Sequence, residues 1–225
     1  MHERPILFSA PMVRAILEGR KTQTRRAIKV PPDFVTDHGD PVRFTPDDPK
    51  YGRLGVVMPC PYGQPGDRLW VREAWRAPVS LDDLSGKQIA EKCLDAGYRH
   101  PWCPMQFEAN GARTSEKDWR EFGPHPSTTV PGRYRHARFM PRWASRITLE
   151  VTGVRVERLQ DISAADCIAE GIEPAHTCDA NEETSLVRAA YATLWESING
   201  DGSWDANPWV WVVEFPQVEQ GAKAA

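Results

Sequence analysis

Residues 19–26 read GRKTQTRR, a cluster of cations and threonines that directly follows a short apolar run. Pro11 suits the first position of a helix, where its missing N–H costs nothing. Four apolar residues then share one helical face: Met12, Val13, Ile16 and Leu17. Gly19 tolerates the left-handed conformation that often ends a helix, and the helix dipole favours cations beyond that end. The cluster is therefore either a solvated loop or a site for an anion, a nucleic acid or a polarised carbonyl.

The composition is that of an ordinary soluble globular protein and excludes several functional classes. The chain has 225 residues, of which 40% are hydrophobic and 26% are charged, and fits one large or two small domains. Because the formal net charge is -3, any contact with nucleic acid must come from a local patch. No signal peptide is recognisable, and no apolar run approaches the roughly 18 residues that span a bilayer. The five cysteines form no CxxC pair. We expect a cytoplasmic protein with reduced thiols, no membrane contact, no metal and no cofactor.

The remaining pattern predicts an α+β fold in which regular elements alternate with two long excursions. Strands are predicted at 69–73, 147–156 and 209–215, and the middle stretch is either one long strand that bends at Gly153 or two short strands. Further helices are predicted near 81–95, within 161–172 and at about 185–198. The second of these begins with a capping box from Ser163 to Asp166 and ends at Gly171. Irregular sequence fills much of 31–61 and 77–137.

Taken together, these pieces resemble the ASCH domain family, which has a PUA-like β-barrel fold. The matching pieces are the Gly-x-Lys-Thr-x-Thr-x-Arg motif at 19–26, the Pro-Gly-Asp turn and strand at 65–75, the strand and AEGI helix at 146–172, and the strand at 209–215. The whole sequence is similar to larger ASCH-type proteins carried by phages and prophages. The resemblance implies a single barrel domain over 1–218 with flanking helices and insertions at about 31–61 and 77–137. We expect residues 219–225 to be disordered.

The resemblance also implies a function. PUA-like domains bind RNA or modified nucleobases, and one group of small ASCH enzymes hydrolyses the acetyl amide of N4-acetylcytidine with a lysine, a threonine and a glutamate. Those three residues match Lys21, Thr24 and Glu170. The chain is therefore expected to be a nucleobase- or RNA-recognising protein and a candidate amidohydrolase for a modified cytidine nucleoside. The alternative is a binding module for single-stranded RNA or modified nucleic acid, and a ribonuclease is less favoured.

The three matched residues have properties that suit this chemistry. If the chain stays turn-like after Gly19, the spacing of Lys21 and Thr24 puts their side chains on one side. Neighbouring cations would lower the pKa of Lys21, which could then take the hydroxyl proton of Thr24. Glu170 lies near a helix end where the dipole disfavours a carboxylate, as suits a donor of a proton to the leaving amine. The alternatives are a solvated lysine, a threonine that opens a strand and an exposed helix glutamate.

Six further residues are candidates for substrate binding: Arg20, Thr22, Arg25, Arg26, Glu73 and Trp75. Arg25 and Arg26 offer guanidinium forks that suit a phosphate. Glu73 follows an apolar strand and could face the same cleft. Its alternative is a structural ion pair with Arg72 or Arg76.

A second basic stretch, RYRHARFMPRWASR at 133–146, interleaves arginines with aromatic residues. Aromatic rings that stack on bases and arginines that hold phosphates are typical of proteins that bind single-stranded nucleic acid. The candidates for this role are Arg135, Arg138, Arg142 and Trp143. The alternative is that Trp143 belongs to the core and the arginines to a solvated loop.

Overall fold

The computed structural model describes residues 1–29, 31–44, 55–114, 119, 130–174 and 180–218. The strands are β1 (Glu3–Leu7), β2 (Gln23–Ala27), β3 (Phe34–Val35), β4 (Pro41–Phe44), β5 (Gly55–Val57), β6 (Arg68–Arg72), β7 (Trp75–Arg76), β8 (Gln106–Phe107), β9 (Thr148–Glu150), β10 (Gly153–Arg158), β11 (Trp209–Glu214) and β12 (Gln217–Val218). The α-helices are α1 (Ala10–Leu17), α2 (Gly86–Asp95), α3 (Ala164–Ala169) and α4 (Ala180–Asn199).

The strands form four separate sheets, with the orders β1-β6-β9-β12, β10-β11-β2, β3-β4-β5 and β7-β8. Together with the four helices, they confirm the predicted α+β class. None of these sheets closes on itself among the strands of the described residues. The PUA-like barrel therefore stays a prediction.

The described chain divides into two compact units. Unit 1 contains Met1–His2, Glu18–Arg68 and Glu150–Gln217, whereas unit 2 contains chiefly Glu3–Leu17 and Leu69–Leu149. The prediction of one domain over 1–218 stays a prediction. The predicted tail at 219–225 lies outside the described residues, as do parts of both predicted insertions.

Unit 1 is built on the antiparallel sheet β10-β11-β2. The apolar strand β11 lies in its centre, where its neighbours satisfy both backbone edges and its side chains are buried on both faces. In register, Val212 faces Arg155 on β10 and Arg25 on β2. One face packs against α3 and α4 through a buried apolar cluster: Leu159, Ile162, Cys167, Val187, Tyr191, Trp195, Val210 and Val212.

Local sequence signals explain where α3 begins and ends. The Ser163 hydroxyl accepts a hydrogen bond from the Asp166 N–H, and the Asp166 carboxylate accepts one from the Ser163 N–H, which is the predicted capping box. Gly171 adopts a φ of 97° just after the helix, as a left-handed terminator does. This helix brings Glu170 to its C-cap position.

Unit 2 has its own core around Trp75, whose side chain packs with residues of α2 and of the 102–107 segment. The buried members of this cluster are Trp75, Ala77, Ile89, Cys103, Met105, Phe107, Met140 and Ala144. The predicted helix near 81–95 is confirmed as α2, which starts with a second capping box between Ser85 and Gln88.

Three features differ from the sequence-based expectations. Strand β1 was not predicted, because Ile6 is the one fully buried residue in it and gives no periodic pattern. Residues 31–61 contain the antiparallel sheet β3-β4-β5, although the sequence predicted an irregular loop with at most one hairpin. Helix α4 begins at Ala180 instead of 185, since its first turn is polar and lacks apolar periodicity.

Two further findings concern thiols and membranes. Cys60, Cys93, Cys103 and Cys167 are all free thiols. In the part of the chain that the structure describes, no helix combines the length and apolar character needed to cross a bilayer.

The capping box of α3 gives a stability prediction. Ser163→Ala removes the side-chain acceptor for the Asp166 N–H, so we expect a loss of about 1 kcal/mol in the free energy of unfolding. Urea denaturation followed by circular dichroism measures this loss. Ser197→Ala, on the exposed side of α4, is the matched control. Equal stability of Ser163→Ala and the wild type would contradict the capping role.

Candidate functional site

The centre of the candidate site is a buried ion pair between Lys21 and Glu170, which lie 149 positions apart in sequence. Lys21 Nζ lies 2.6 Å from Glu170 Oε2, and the two side chains are 0% and 3% exposed. The backbone brings them together because the Thr22 N–H donates to the Ala169 carbonyl at 2.8 Å, next to Glu170. The alternatives of a solvated lysine and an exposed helix glutamate are therefore wrong.

This ion pair provides hydrogen-bond partners for the backbone groups on the outer edge of strand β2. β2 is an outer strand of its sheet, and the Thr22 carbonyl accepts from the Phe215 N–H on the β11 side. Backbone groups alternate in direction along a strand, so the Gln23 carbonyl and the Arg25 N–H point away from β11. Lys21 Nζ donates to the Gln23 carbonyl at 2.8 Å, and Glu170 Oε1 accepts from the Arg25 N–H. Two side chains thus take the place of a neighbouring strand.

The ion pair is supported by a third buried side chain that the sequence did not indicate. The Tyr191 hydroxyl lies 3.4 Å from Glu170 Oε1 and donates to it. Burial, and next the negative charge of Glu170, raise the pKa of Tyr191 well above its usual value, so the phenol stays protonated. Tyr191 therefore holds the carboxylate from the side of α4.

The pKa of Lys21 is lowered, as the sequence predicted, but chiefly for another reason. Burial is the largest cause, because it disfavours the charged ammonium. The ion pair with Glu170 opposes this effect, and repulsion by Arg26 and Arg25 makes a smaller contribution. The neighbouring arginines are therefore secondary to burial.

The guanidinium of Arg25 is enclosed by protein acceptors. It donates to Gln23 Oε1 at 3.1 Å and to Glu157 Oε2 at 3.0 Å, and it lies 3.3 Å from Asp166 Oδ2. Its side chain is 0% exposed. The predicted role of Arg25 in holding a phosphate is therefore not supported by this geometry.

Thr24 is buried inside β2 and not in a turn. Gln23 and Arg25 bond to Asp166 of α3, so their side chains occupy the face of the sheet that this helix covers. Side chains alternate along a strand, which places Thr24 on the opposite face. The expectation of a turn-like segment that aligns Lys21 with Thr24 is wrong from Gln23 onward, because strand pairing with β11 extends the chain there.

A pocket of about 430 Å³ opens beside this segment in unit 1. Thr22 and Gln23 line one side, Ala169 leads to Glu170, and Glu214 and Phe215 line the end of β11. The Glu214 carboxylate pairs with Arg155, which also pairs with Glu157 and Asp166. The residues that line the pocket therefore offer hydroxyl and amide groups and one carboxylate.

The other two candidate cations of the motif differ in their surroundings. The guanidinium of Arg20 is held by Glu18 and by the Gly171 carbonyl at 3.1 Å. Arg26 is half-buried and, by strand alternation, shares the face of Thr24.

The remaining predicted residues belong to unit 2, where most of them serve its packing. Glu73 is buried and forms a bidentate pair with Arg146 at 2.8 and 2.9 Å, so the expected partners Arg72 and Arg76 are wrong. Trp75 lies in the core. Arg135 donates to the Leu81 and Leu84 carbonyls and stacks over Trp75 at 5.2 Å.

The basic stretch is thus divided between structural and exposed side chains. The Arg142 guanidinium pairs with Glu3 at 2.8 Å, and the Trp143 indole donates to the Gly86 carbonyl at 3.2 Å. Arg138 is exposed, and its guanidinium lies 4.8 Å from the ring centre of Phe139, which is 64% exposed. Tyr134 is also exposed.

The charged network around Gln23 could have been found from two signals in the sequence. Asp166 and Glu170 are four residues apart, which puts both carboxylates on one face of α3. Arg155 and Glu157 alternate on β10, which puts both side chains on one face of the sheet. Within the described ranges, no group of three His, Cys, Asp or Glu side chains is arranged to hold a metal ion.

The buried ion pair gives a second stability prediction. Glu170→Gln leaves the buried Lys21 ammonium without a carboxylate, and Lys21→Met leaves the buried Glu170 with Arg25, 3.8 Å away, as its remaining cation. Each variant is expected to cost about 3–5 kcal/mol of unfolding free energy. The double variant is expected to lose clearly less than the two single losses combined, because no lone charge remains. Urea unfolding of the four proteins measures the coupling. Arg142→Met, which breaks a half-exposed pair, should cost no more than about 1 kcal/mol. Additive losses would contradict a direct coupling of the pair.

Asp166 gives a prediction of pH dependence. Burial alone would raise its pKa, but hydrogen bonds from Gln23 and Ser163 and the charge of Arg25 outweigh burial and lower the pKa below the usual 3.8. Its contribution to stability is therefore complete above about pH 4 and is lost as the pH falls through the lowered value. We expect the stability difference between wild type and Asp166→Asn to shrink from pH 6 to pH 2.5 in urea titrations. Asp205→Asn, at an exposed site, should show no such trend. A constant difference for Asp166→Asn would refute the expectation.

Comparisons with known proteins give no further evidence for a function. The chain matches no family model, no curated protein and no solved structure. The resemblance to the ASCH family therefore stays a prediction that rests on its four sequence motifs.

Proposed function

We propose that the chain is an ASCH-type protein with a PUA-like barrel that recognises a nucleobase, and that it hydrolyses the N-acyl group of a modified cytidine nucleoside. The observation that supports this proposal is the 2.6 Å contact between Lys21 and Glu170. The resemblance assigned these two residues to one site, although they are 149 positions apart. A pocket is lined by Thr22 and Ala169, which are the sequence neighbours of Lys21 and Glu170.

The ion pair supplies the two groups that amide hydrolysis needs. When one proton moves from Lys21 Nζ to Glu170 Oε2, the pair becomes a neutral amine and a protonated carboxyl. Burial lowers the pKa of Lys21, which favours its neutral amine. The amine is then the base that takes the proton of the Thr24 hydroxyl as its oxygen bonds to the acyl carbon, and the carboxyl is the acid that protonates the cytidine nitrogen as the C–N bond breaks. Water then cleaves the Thr24 ester: its hydroxyl goes to the acyl carbon, which leaves as the free acid, and its proton returns to the Thr24 oxygen. Proton transfer from Lys21 to Glu170 restores the neutral starting pair.

The pocket has the size and chemistry of a small-molecule site. Its volume of about 430 Å³ lies within the usual range of roughly 300–1,000 Å³ for ligand pockets. Thr22 and Glu214, which are both accessible, provide polar groups for a base edge.

Binding without chemistry is the second candidate function, and two observations favour it. Thr24 lies on the face of β2 opposite Gln23, whereas the Lys21 ammonium is engaged with Gln23 and Glu170. In unit 2, Tyr134, Arg138 and Phe139 are exposed, and Arg138 lies over the Phe139 ring, which supplies aromatic and cationic groups that suit single-stranded RNA.

Turnover of N4-acetylcytidine tests the catalytic proposal. We expect the wild type to release acetate and cytidine, and Lys21→Met and Thr24→Val to reduce the rate at least about 100-fold, since each removes a reacting group. Chromatography of the nucleosides measures the rate, and thermal melting shows that each variant is folded. Thr193→Val, on the exposed side of α4, should retain wild-type turnover.

Two results would decide between the candidates. No turnover by the wild type, or equal turnover by wild type, Lys21→Met and Thr24→Val, removes the amidohydrolase. The binding module requires affinity for single-stranded RNA that falls steeply as salt rises. The absence of binding at low salt removes that function.

A further inference from the structure

We propose that strand β5 pairs antiparallel with β5 of a second copy of this chain, so that two β3-β4-β5 sheets join into one sheet about a two-fold axis. Among the described residues, β5 is an outer strand of its sheet. Its three residues, Gly55, Val56 and Val57, include neither a charge nor a proline, the features that commonly protect an outer strand from pairing. This inference concerns assembly and does not depend on the proposed function.

The register of the sheet determines which backbone groups of β5 point outward. The Met58 N–H donates to the Pro41 carbonyl at 2.8 Å, so these two opposite residues are joined by a hydrogen bond. Bonded and non-bonded pairs alternate along an antiparallel ladder, so Val42 and Val57, the next pair, do not bond to each other. The Val42 carbonyl accordingly accepts from the N–H of the residue before β3. The backbone groups of Val57, and by the same alternation those of Gly55, therefore point away from β4.

The outward backbone groups of β5 are complementary to themselves. When two β5 strands run antiparallel about a two-fold axis at Val56, Gly55 of one copy lies opposite Val57 of the other. Both residues point their N–H and carbonyl groups outward, so each of these symmetry-related pairs can exchange two hydrogen bonds. The same alignment puts the two Val56 residues directly opposite each other. A second copy of the chain therefore satisfies the outward groups of β5 without any change in the existing sheet.

The side chains of this sheet also fit a second copy. Val56 and Val57 are 50% and 54% exposed, so the pairing would remove apolar surface from water. Phe44 lies opposite Gly55 in the register, and a Cβ on that glycine would lie 3.7 Å from the Phe44 ring. Residues directly opposite each other share a face of the sheet. Val57 of the second copy would therefore lie beside Phe44, across a glycine that leaves room for the contact.

The charge on the neighbouring strand does not oppose this pairing. Arg43 is the charged residue of β4 and lies opposite Val56. In the joined sheet, three strand spacings separate the backbone of Arg43 from that of its copy, which is about 14 Å. This distance exceeds the Debye length of about 8 Å at physiological salt, so the repulsion is screened. Because two three-residue strands form a small contact, we expect a weak dimer.

Sedimentation equilibrium at concentrations from about 10 µM to 1 mM, where a weak dimer dissociates, tests the pairing. We expect the average mass of the wild type to rise from 25.4 kDa toward twice that value. Val56→Lys and Val56→Glu each put like charges directly opposite each other, so each should weaken the dimer about fivefold or more. An equimolar mixture of these two variants should associate again, because opposite charges then face each other across the axis.

Two more variants test the backbone contact and the location of the interface. Val57→Pro removes one outward N–H but no bond to β4, so it should weaken the dimer and still fold, as thermal melting can show. Leu186→Lys adds a charge at an exposed apolar residue of α4 and should associate like the wild type. A wild type that stays monomeric, equal association of Val56→Lys and wild type, or a mixture of the two charged variants that stays monomeric would each overturn the pairing.

Discussion

The open edge of strand β2 is the constraint on which the rest of unit 1 depends. An outer strand leaves every second N–H and carbonyl without a strand partner, and burying such groups is costly. Here the Gln23 carbonyl and the Arg25 N–H are satisfied by Lys21 and Glu170. This arrangement fixes the distance of α3 from the sheet, because Glu170 occupies the helix C-cap and must reach the strand.

The charged side chains between α3 and the sheet follow from the need to satisfy the outer edge of β2. Once α3 lies against β2, Asp166 faces the same strand one helical turn earlier and bonds to the Gln23 amide. Arg25 and Arg155 then become the counterions for the carboxylates gathered there. A buried charged layer is tolerated because each member has a partner of opposite sign, whereas a lone charge would not be. The capping box at Ser163 sets the start of α3 and therefore the position of both carboxylates.

The sequence predicted the helices and strands whose signals lie within a few residues. It did not predict the features that depend on contacts between residues far apart in the chain. The capping box of α3, the glycine at its end and the apolar strand at 209–215 each carry their signal within a few residues, and all three are confirmed. In GRKTQTRR a strand was only the alternative to the turn-like segment, namely a threonine that opens a strand, because Gln23 and Arg25 are polar residues whose burial depends on the distant partners Glu157, Asp166 and Glu170. Likewise, Glu73 was expected to pair with a neighbouring arginine, but the fold brings Arg146 to it. The resemblance placed Lys21 and Glu170 in one site, but their ion pair was not predicted, since no spacing rule links positions so far apart.

The structural role of the ion pair is compatible with the proposed chemistry. If the proton between Lys21 Nζ and Glu170 Oε2 moves to the oxygen, Oε1 remains an acceptor for the Arg25 N–H and the amine still has a proton for the Gln23 carbonyl. The Gln23 carbonyl and the Arg25 N–H thus keep their hydrogen-bond partners in both proton arrangements. The proposed reaction also needs the Thr24 hydroxyl beside Lys21, but the Thr24 side chain lies on the other face of β2. Catalysis by Thr24 therefore requires Gln23 and Thr24 to twist away from their strand geometry.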